Sequence, residues 1–362
     1  MSLILENIKR IVGDETHIEE MSLELEPGSF NVLLGRTLAG KTTLMRLMAG
    51  LDTPSRGRVL MNGEDVTGRS VRKRNVSMVY QQFINYPNLS VYDNIASPLK
   101  LAGVGRREID RRVREIAEML HIEPYLDRLP LELSGGQQQR TAMGRALVKD
   151  ADIVLFDEPL VNLDYKLREE FREELRSVFS ERNCIAVYAT TEPAEALALG
   201  GNTAVLHEGR LLQYGPTEEV YHRPRNILTA EIFSEPPINV MHGHITGTEV
   251  TFDSELHFPV SQEMRSLAPG EYRFGVRASH ITLKPRAEDD IELKMIVDMA
   301  EISGSETFLH AHNDRFHLTV HLGGVHELHA GSPLTLYFPT HKAYAFDRHG
   351  AVVHIPAHLG GM

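Results

Sequence analysis

The 362 residues contain no tryptophan and a single cysteine, Cys184. One thiol excludes any disulfide within the chain and fits a reducing compartment. Set in Asn183-Cys184-Ile185-Ala186-Val187-Tyr188, it reads as a small core residue of a buried strand. No run reaches the roughly eighteen apolar residues that a membrane-spanning helix needs. Residues 1–10 lack the basic-then-apolar pattern of a secretory signal. Membrane association is therefore expected to run through a partner. Basic residues are also scarce, 38 against 50 acidic, for a net charge of −12. That balance argues against a broad nucleic-acid face. A local basic run such as Arg69, Arg72, Lys73 and Arg74 reads as a solvated edge. The length favours two domains.

What the chain does have is Gly35-Arg36-Thr37-Leu38-Ala39-Gly40-Lys41-Thr42-Thr43, placed after the apolar run Phe30, Val32, Leu33, Leu34 and before a helical stretch at 44–50. Gly-x-x-x-x-Gly-Lys-Thr between a strand and a helix is a phosphate-binding loop. Backbone N–H groups of such a loop and the helix start point at phosphates. Lys41 supplies a point charge for the β/γ-phosphates, the Thr42 hydroxyl can ligate Mg²⁺, and Thr43 is a further phosphate contact.

Alternating runs at 3–12 and 18–25 predict half-buried strands around a Gly13-Asp14 turn. Strands follow at 59–61, closed by Asn62-Gly63, and at 76–80, with loop and short helix over 83–98. Helical periodicity marks 106–121 and 165–182, and a helix follows Leu133-Ser134-Gly135-Gly136-Gln137 through 148. Apolar strands at 153–156, 185–188 and 203–206 with a helix at 193–199 complete an alternating series. The expected fold is α/β, a mainly parallel mixed sheet with an antiparallel portion and a helical subdomain. Beyond Pro236-Pro237 short alternating runs dominate, at 245–252, 271–281, 292–297, 308–312, 316–322 and 334–338. These predict a small all-β barrel, so the domains are drawn at 1–235 and 236–362.

Four features narrow the phosphate loop. Asp157 ends an apolar strand as an Mg²⁺-organising acid should, and Glu158 beside it can act on an attacking water. Ser134 to Gln137 open a helix and form a second phosphate site. Gln81 ends a strand, and Asn162-Leu163-Asp164 follows the acidic pair. In this order and spacing the motifs resemble the ATP-binding subunits of ABC transporters. Gly215-Pro216-Thr217-Glu218-Glu219-Val220-Tyr221-His222-Arg223-Pro224 is similar to the segment ending the ATPase domain of carbohydrate-importer subunits. Gly275-Val276-Arg277-Ala278-Ser279-His280-Ile281 resembles their C-terminal OB-like, TOBE-type regulatory fold.

The resemblance implies ATP and Mg²⁺ as ligands and an ATPase dimer with two composite sites. Each site would join Gly35 to Thr43, Gln81, Asp157 and Glu158 of one subunit to Ser134, Gly135, Gly136 and Gln137 of the other. Thr42, Gln81 and Asp157 would organise the metal. Residues 82–94 would receive a permease's cytoplasmic coupling helix. The implied partners are two transmembrane permeases, a second ATPase and, indirectly, a periplasmic solute-binding protein, at the cytoplasmic face of the inner membrane.

Four positions depart from the family's pattern. Thr191, in Tyr188-Ala189-Thr190-Thr191-Glu192, stands where a γ-phosphate-sensing histidine is expected. Threonine lacks an imidazole's reach and protonation. Val12 replaces the adenine-stacking aromatic, with His17 nearby as a substitute. Leu38 replaces a glycine, and Val161 a small polar residue. These departures imply slow hydrolysis at this chain's own loop and a non-identical partner ATPase. Together with Tyr80-Gln81-Gln82-Phe83-Ile84-Asn85-Tyr86-Pro87 they resemble one of the two ATPases of bacterial glycerol importers. The alternatives are a hydrolysis-impaired regulatory subunit and a non-transport ABC ATPase. Fourteen of the eighteen histidines lie from His242 onward, and they are read as solvated residues of the β domain rather than metal ligands.

Overall fold

The computed structural model describes residues 2–82, 84–160, 165–252, 257–260, 262–287 and 290–356. Phe83, Val161, Asn162, Leu163 and Asp164, which carry sequence-based expectations, lie outside the described residues. The chain divides into two compact units, Met1–Thr217 and Glu218–Met362.

In the first unit β1 (Leu3–Val12) and β2 (Glu15–Leu25) form a hairpin about Gly13, whose φ is 60°. Then come β3 (Phe30–Leu34), α1 (Lys41–Ala49), β4 (Arg56–Met61), β5 (Glu64–Asp65) and β6 (Val76–Val79). A helical stretch follows, α2 (Val91–Leu101), α3 (Arg106–Met119) and α4 (Gly135–Leu147). The unit closes with β7 (Ile153–Asp157), α5 (Tyr165–Glu181), β8 (Ile185–Thr190), α6 (Pro193–Leu199), β9 (Asn202–His207) and β10 (Arg210–Pro216).

One sheet is antiparallel, ordered β2-β1-β4-β5; the other is ordered β10-β9-β3-β8-β7-β6 and is parallel from β9 to β6. The apolar runs of β7 and β8 are buried along their whole length, as strands covered on both faces must be. The mixed α/β fold read from the sequence is the fold observed.

Two local readings change. Residues 83–98 were expected to hold only a short helix, yet α2 runs eleven residues with Pro98 inside it. Proline has no N–H for the Asn94 carbonyl four residues back. The Ser97 hydroxyl donates to that carbonyl instead, at 2.8 Å. Arg74 is not a solvated edge residue. It is 5% exposed, and its guanidinium donates to the carbonyls of Val66 (2.5 Å), Met48 (3.0 Å) and Arg69 (3.1 Å). Met48 belongs to the last turn of α1, where unpaired carbonyls and the negative end of the helix dipole favour a cation.

The second unit holds α7 (Thr217–His222) beyond its first residue and α8 (Ile227–Ile232). Its strands are β11 (Asn239–Thr246), β12 (Glu249–Thr251), β13 (His257–Pro259), β14 (Gly270–Val276), β15 (Ile291–Ser303), β16 (Glu306–His312), β17 (His317–Gly323), β18 (Pro333–Phe338), β19 (Tyr344–Phe346) and β20 (Val352–His354). Two antiparallel sheets, β13-β12-β11-β14-β19-β20 and β17-β16-β15-β18, share one core. Met241, Phe274 and Val276 from the first meet Leu293, Leu309, Val320 and Leu336 from the second. This is the all-β architecture expected after Pro237.

Residues 218–235, drawn by sequence with the ATPase domain, group with the β unit. The buried Arg277 guanidinium explains the attachment. It donates to the Tyr221 and Phe233 carbonyls and to the Ser234 hydroxyl, and it lies 3.7 Å from the centre of the Tyr221 ring. Histidines of β16 and β17 pair with acids, a hydroxyl and a ring: His312 with Asp298 at 2.5 Å, His310 with the Thr319 hydroxyl at 3.3 Å, and His321 with Glu306 at 3.2 Å and stacked on Phe308.

Candidate nucleotide site

Four parallel strands present their C-terminal ends side by side in the order β3, β8, β7, β6, and a candidate residue stands at or within two residues of each end. Leu34 pairs with Thr190, Asp157 with Ala189, and Val79 with Phe156. The sheet thus gathers the loop at 35–40, Thr191, the Asp157-Glu158 pair and Gln81 along one edge. An open α/β sheet binds its ligands at that edge.

The loop's glycines are fixed by space and by backbone. A Cβ on Gly35 would lie 2.5 Å from the Leu206 carbonyl oxygen. Gly40, at φ 98°, immediately precedes α1. Leu38 adopts φ 68° with its side chain 93% exposed. An L-residue in this left-handed conformation costs about 1–2 kcal/mol. The departure from glycine at Leu38 is therefore a backbone strain rather than a packing change.

Lys41 opens α1 and is 5% exposed. Its ammonium donates to the Gly35 carbonyl at 2.7 Å and the Arg36 carbonyl at 3.2 Å, and meets Glu158 Oε1 at 3.1 Å. The Thr42 hydroxyl donates to Asp157 Oδ1 at 3.0 Å. Asp157 is 4% exposed, and burial pushes its carboxyl above the usual range, opposed by the Thr42 hydrogen bond. Gln81 Nε2 donates to Glu158 Oε2 at 3.3 Å. Glu158 itself sits at φ 47°, its N–H donating to the Ala189 carbonyl at 3.1 Å. Strained φ values of this kind persist where the surroundings hold them, often at functional sites.

A cavity of about 550 Å³ opens over these groups, lined by residues 37–43, Gln81 and Glu158. Glu15, Thr16, His17, Glu208 and Gly209 also line it, and the Gly209 N–H donates to the Ala39 carbonyl of the loop at 3.0 Å. His17 is among the lining residues and Val12 is not. Glu208 and Gly209 escaped the sequence reading. Their signal was a two-residue turn between β9 and β10, both residues at positive φ. For Mg²⁺ the chemistry fits: the Thr42 hydroxyl and Asp157 carboxylate are hard oxygen donors, and a carboxylate so buried gains from a cation.

Two expected members do not line the cavity. Thr191 is exposed one residue beyond β8 and does not line the cavity. Ser134, Gly135, Gly136 and Gln137 also lie outside it. Ser134 caps α4, accepting from the Gln137 N–H at 3.4 Å while the Gln137 side chain accepts from the Ser134 N–H at 3.0 Å. The structure thus joins the loop, Gln81, Asp157 and Glu158, and leaves the Ser134 stretch as a separate exposed helix start.

The chain as a whole matches known proteins. The model of the family described as ABC transporter matches residues 18–161. The sn-glycerol-3-phosphate import ATP-binding protein UgpC of Escherichia coli O157:H7 is 36% identical over 92% of this chain and 94% of its own length. The chain belongs to the ABC transporter family. The trehalose/maltose import ATP-binding protein MalK of Thermococcus litoralis is 35% identical over 95% of this chain and 97% of its own. Among solved structures, the dimeric post-hydrolysis state of the ATP-binding cassette MJ0796 bound to ADP and Pi aligns with a TM-score of 0.54. It is 26% identical and covers 59% of this chain and 98% of that one.

A second surface lies beside the site. Asn94, fully buried in α2, accepts from the Tyr86 N–H at 2.8 Å and donates to the carbonyls of Leu89 (2.9 Å), Ser90 (3.0 Å) and Tyr86 (3.1 Å). It holds a loop whose Ile84 and Tyr86 are 56% and 47% exposed. Asn94→Ala strips those partners of hydrogen bonds and should cost about 2–3 kcal/mol. Calorimetry should show a melting temperature lower by roughly 5–10 °C.

Proposed function

We propose that this chain is the ATP-hydrolysing subunit of an importer for a small polyol or sugar, glycerol being the first candidate. The observation that carries the reading is the cluster of Lys41, Thr42, Asp157, Glu158 and Gln81 at one sheet edge. It combines with similarity to import ATP-binding proteins that runs through both units. The loop N–H groups and Lys41 would hold the phosphates of ATP, and Glu158 would take the proton from the attacking water. Thr42 and Asp157, with Gln81 nearby, would hold Mg²⁺, which would supply charge neutralisation for the phosphates. Ser134 to Gln137 would complete the site of a partner ATPase. The exposed Ile84 and Tyr86 suit a permease's coupling helix, and the chain would then work at the cytoplasmic face of the inner membrane. A periplasmic solute-binding protein would act on the same permeases from the other side. Residues 1–235 would serve as the ATPase domain and 236–362 as the regulatory domain. Uptake of labelled glycerol, glycerol phosphate and maltose in a deletion strain tests the cargo. Failure to restore glycerol uptake would remove glycerol.

Pairing with a non-identical ATPase is part of the proposal, and it rests on Thr191 and Val12. Purified alone, the chain should hydrolyse ATP slowly and gain activity with the ATPase encoded beside it. Vigorous activity alone that Glu158→Gln abolishes would overturn the pairing. Thr191→His should raise turnover about tenfold, the worth of one hydrogen bond of about 1.4 kcal/mol to the transition state. An unchanged rate in a steady-state phosphate-release assay would count against a role for that position. Single-turnover hydrolysis separates the ATPase from a subunit that only senses ATP.

A further inference from the structure

Glu195 is an acidic side chain that the chemistry above does not use, and it is 5% exposed on α6. Burying a carboxyl is costly unless it is hydrogen-bonded. Here Oε2 accepts from the Tyr188 hydroxyl at 3.1 Å and from the Thr190 hydroxyl at 2.5 Å. The Thr190 oxygen in turn accepts from the Glu192 N–H at 2.9 Å, closing the bend around Thr191. Arg172 and Glu192 are the charged groups nearby.

The clamped strand end has two further ties. The Thr190 carbonyl accepts from the Gly35 N–H at 3.3 Å, where the phosphate loop begins. The Ala189 carbonyl accepts from the Glu158 N–H at 3.1 Å. One buried carboxyl thus stands beneath a junction joining the loop, the acidic pair and Thr191.

We propose that Glu195 is a positioning residue for ATP hydrolysis: through the Tyr188 and Thr190 hydroxyls it fixes the end of β8, and thereby the spacing of the phosphate loop, Glu158 and Thr191. The inference rests on the reading that turnover occurs at the Lys41–Glu158 site. A misplacement of order 1 Å at reacting groups can cost about 100-fold in rate. Removal of the clamp acts on kcat while nucleotide binding, carried by the loop and α1, persists.

The test is ATPase kinetics and fluorescent-nucleotide binding on the full-length chain, with melting curves alongside. Glu195→Leu is expected to lower kcat between about 10- and 100-fold, with KM and nucleotide affinity within about twofold. Glu195→Gln keeps an acceptor oxygen for both hydroxyls and should restore most of the rate. Thr190→Val, which removes the central hydroxyl, should follow Glu195→Leu, and it decides the matter if Glu195→Leu does not fold. Wild-type kcat in both variants, a loss confined to KM, or a Glu195→Gln variant as slow as Glu195→Leu would each overturn the clamp. Glu158→Gln is the companion measurement. Unchanged turnover there would remove the site reading itself, whatever the clamp variants do.

Discussion

Glu158→Gln is expected to lower steady-state ATP hydrolysis by about 10²- to 10⁴-fold, the range that one positioned general base supplies. The substitution keeps size and one acceptor oxygen but removes the charge and the proton acceptor. Lys41 would lose its 3.1 Å ion pair but keep the Gly35 and Arg36 carbonyls, so the loop retains its shape. The Thr42–Asp157 bond does not involve Glu158 at all. Nucleotide affinity should therefore survive, and ATP-bound protein should accumulate. Phosphate release and equilibrium binding measured together check both halves. A variant that turns over normally would take the base role from Glu158.

Gly135→Asp is expected to abolish turnover, by at least about 100-fold, while leaving the fold intact. Nothing lies within 4 Å of the position a Cβ would occupy on Gly135, so the chain itself has room. An acid in the first turn of a helix is also favoured by the helix dipole. The cost arises only if a phosphate must approach that helix start, where like charges facing each other lose several kcal/mol. An unchanged melting temperature with lost ATPase activity and lost ATP-driven dimerisation would identify Ser134 to Gln137 as half of an intermolecular site. Full activity would mean that this stretch is only a helix cap.

Much of this was legible from residue order because phosphate chemistry constrains backbone locally. Gly35 and Gly40 are set by close approach and by positive φ, and a strand on one side and a helix on the other complete the loop. The apolar runs of β7 and β8 announced a sheet covered on both faces. Less visible were features made by contacts far apart in sequence. Arg74 looked like one charge in a basic run, and only the end of α1 gave it carbonyls to bind. Residues 83–98 read as loop and short helix, and only the structure shows Ser97 taking up the carbonyl that Pro98 leaves. Residues 218–235 read as the tail of one domain, but Arg277 ties them to the other unit.

The sequence by itself determined the family, the α/β and all-β order of the two units, and the residue types at the phosphate loop and its acids. Those depend on short spacings that a linear pattern preserves. Tertiary structure alone decided that Lys41 meets Glu158, that Glu208 and Gly209 join the loop in lining the cavity, and that Glu195 lies beneath the β8 end. It also set Ser134 apart from the loop. Strand order in a sheet and the burial of a charge arise from packing between distant segments, and no local spacing encodes them.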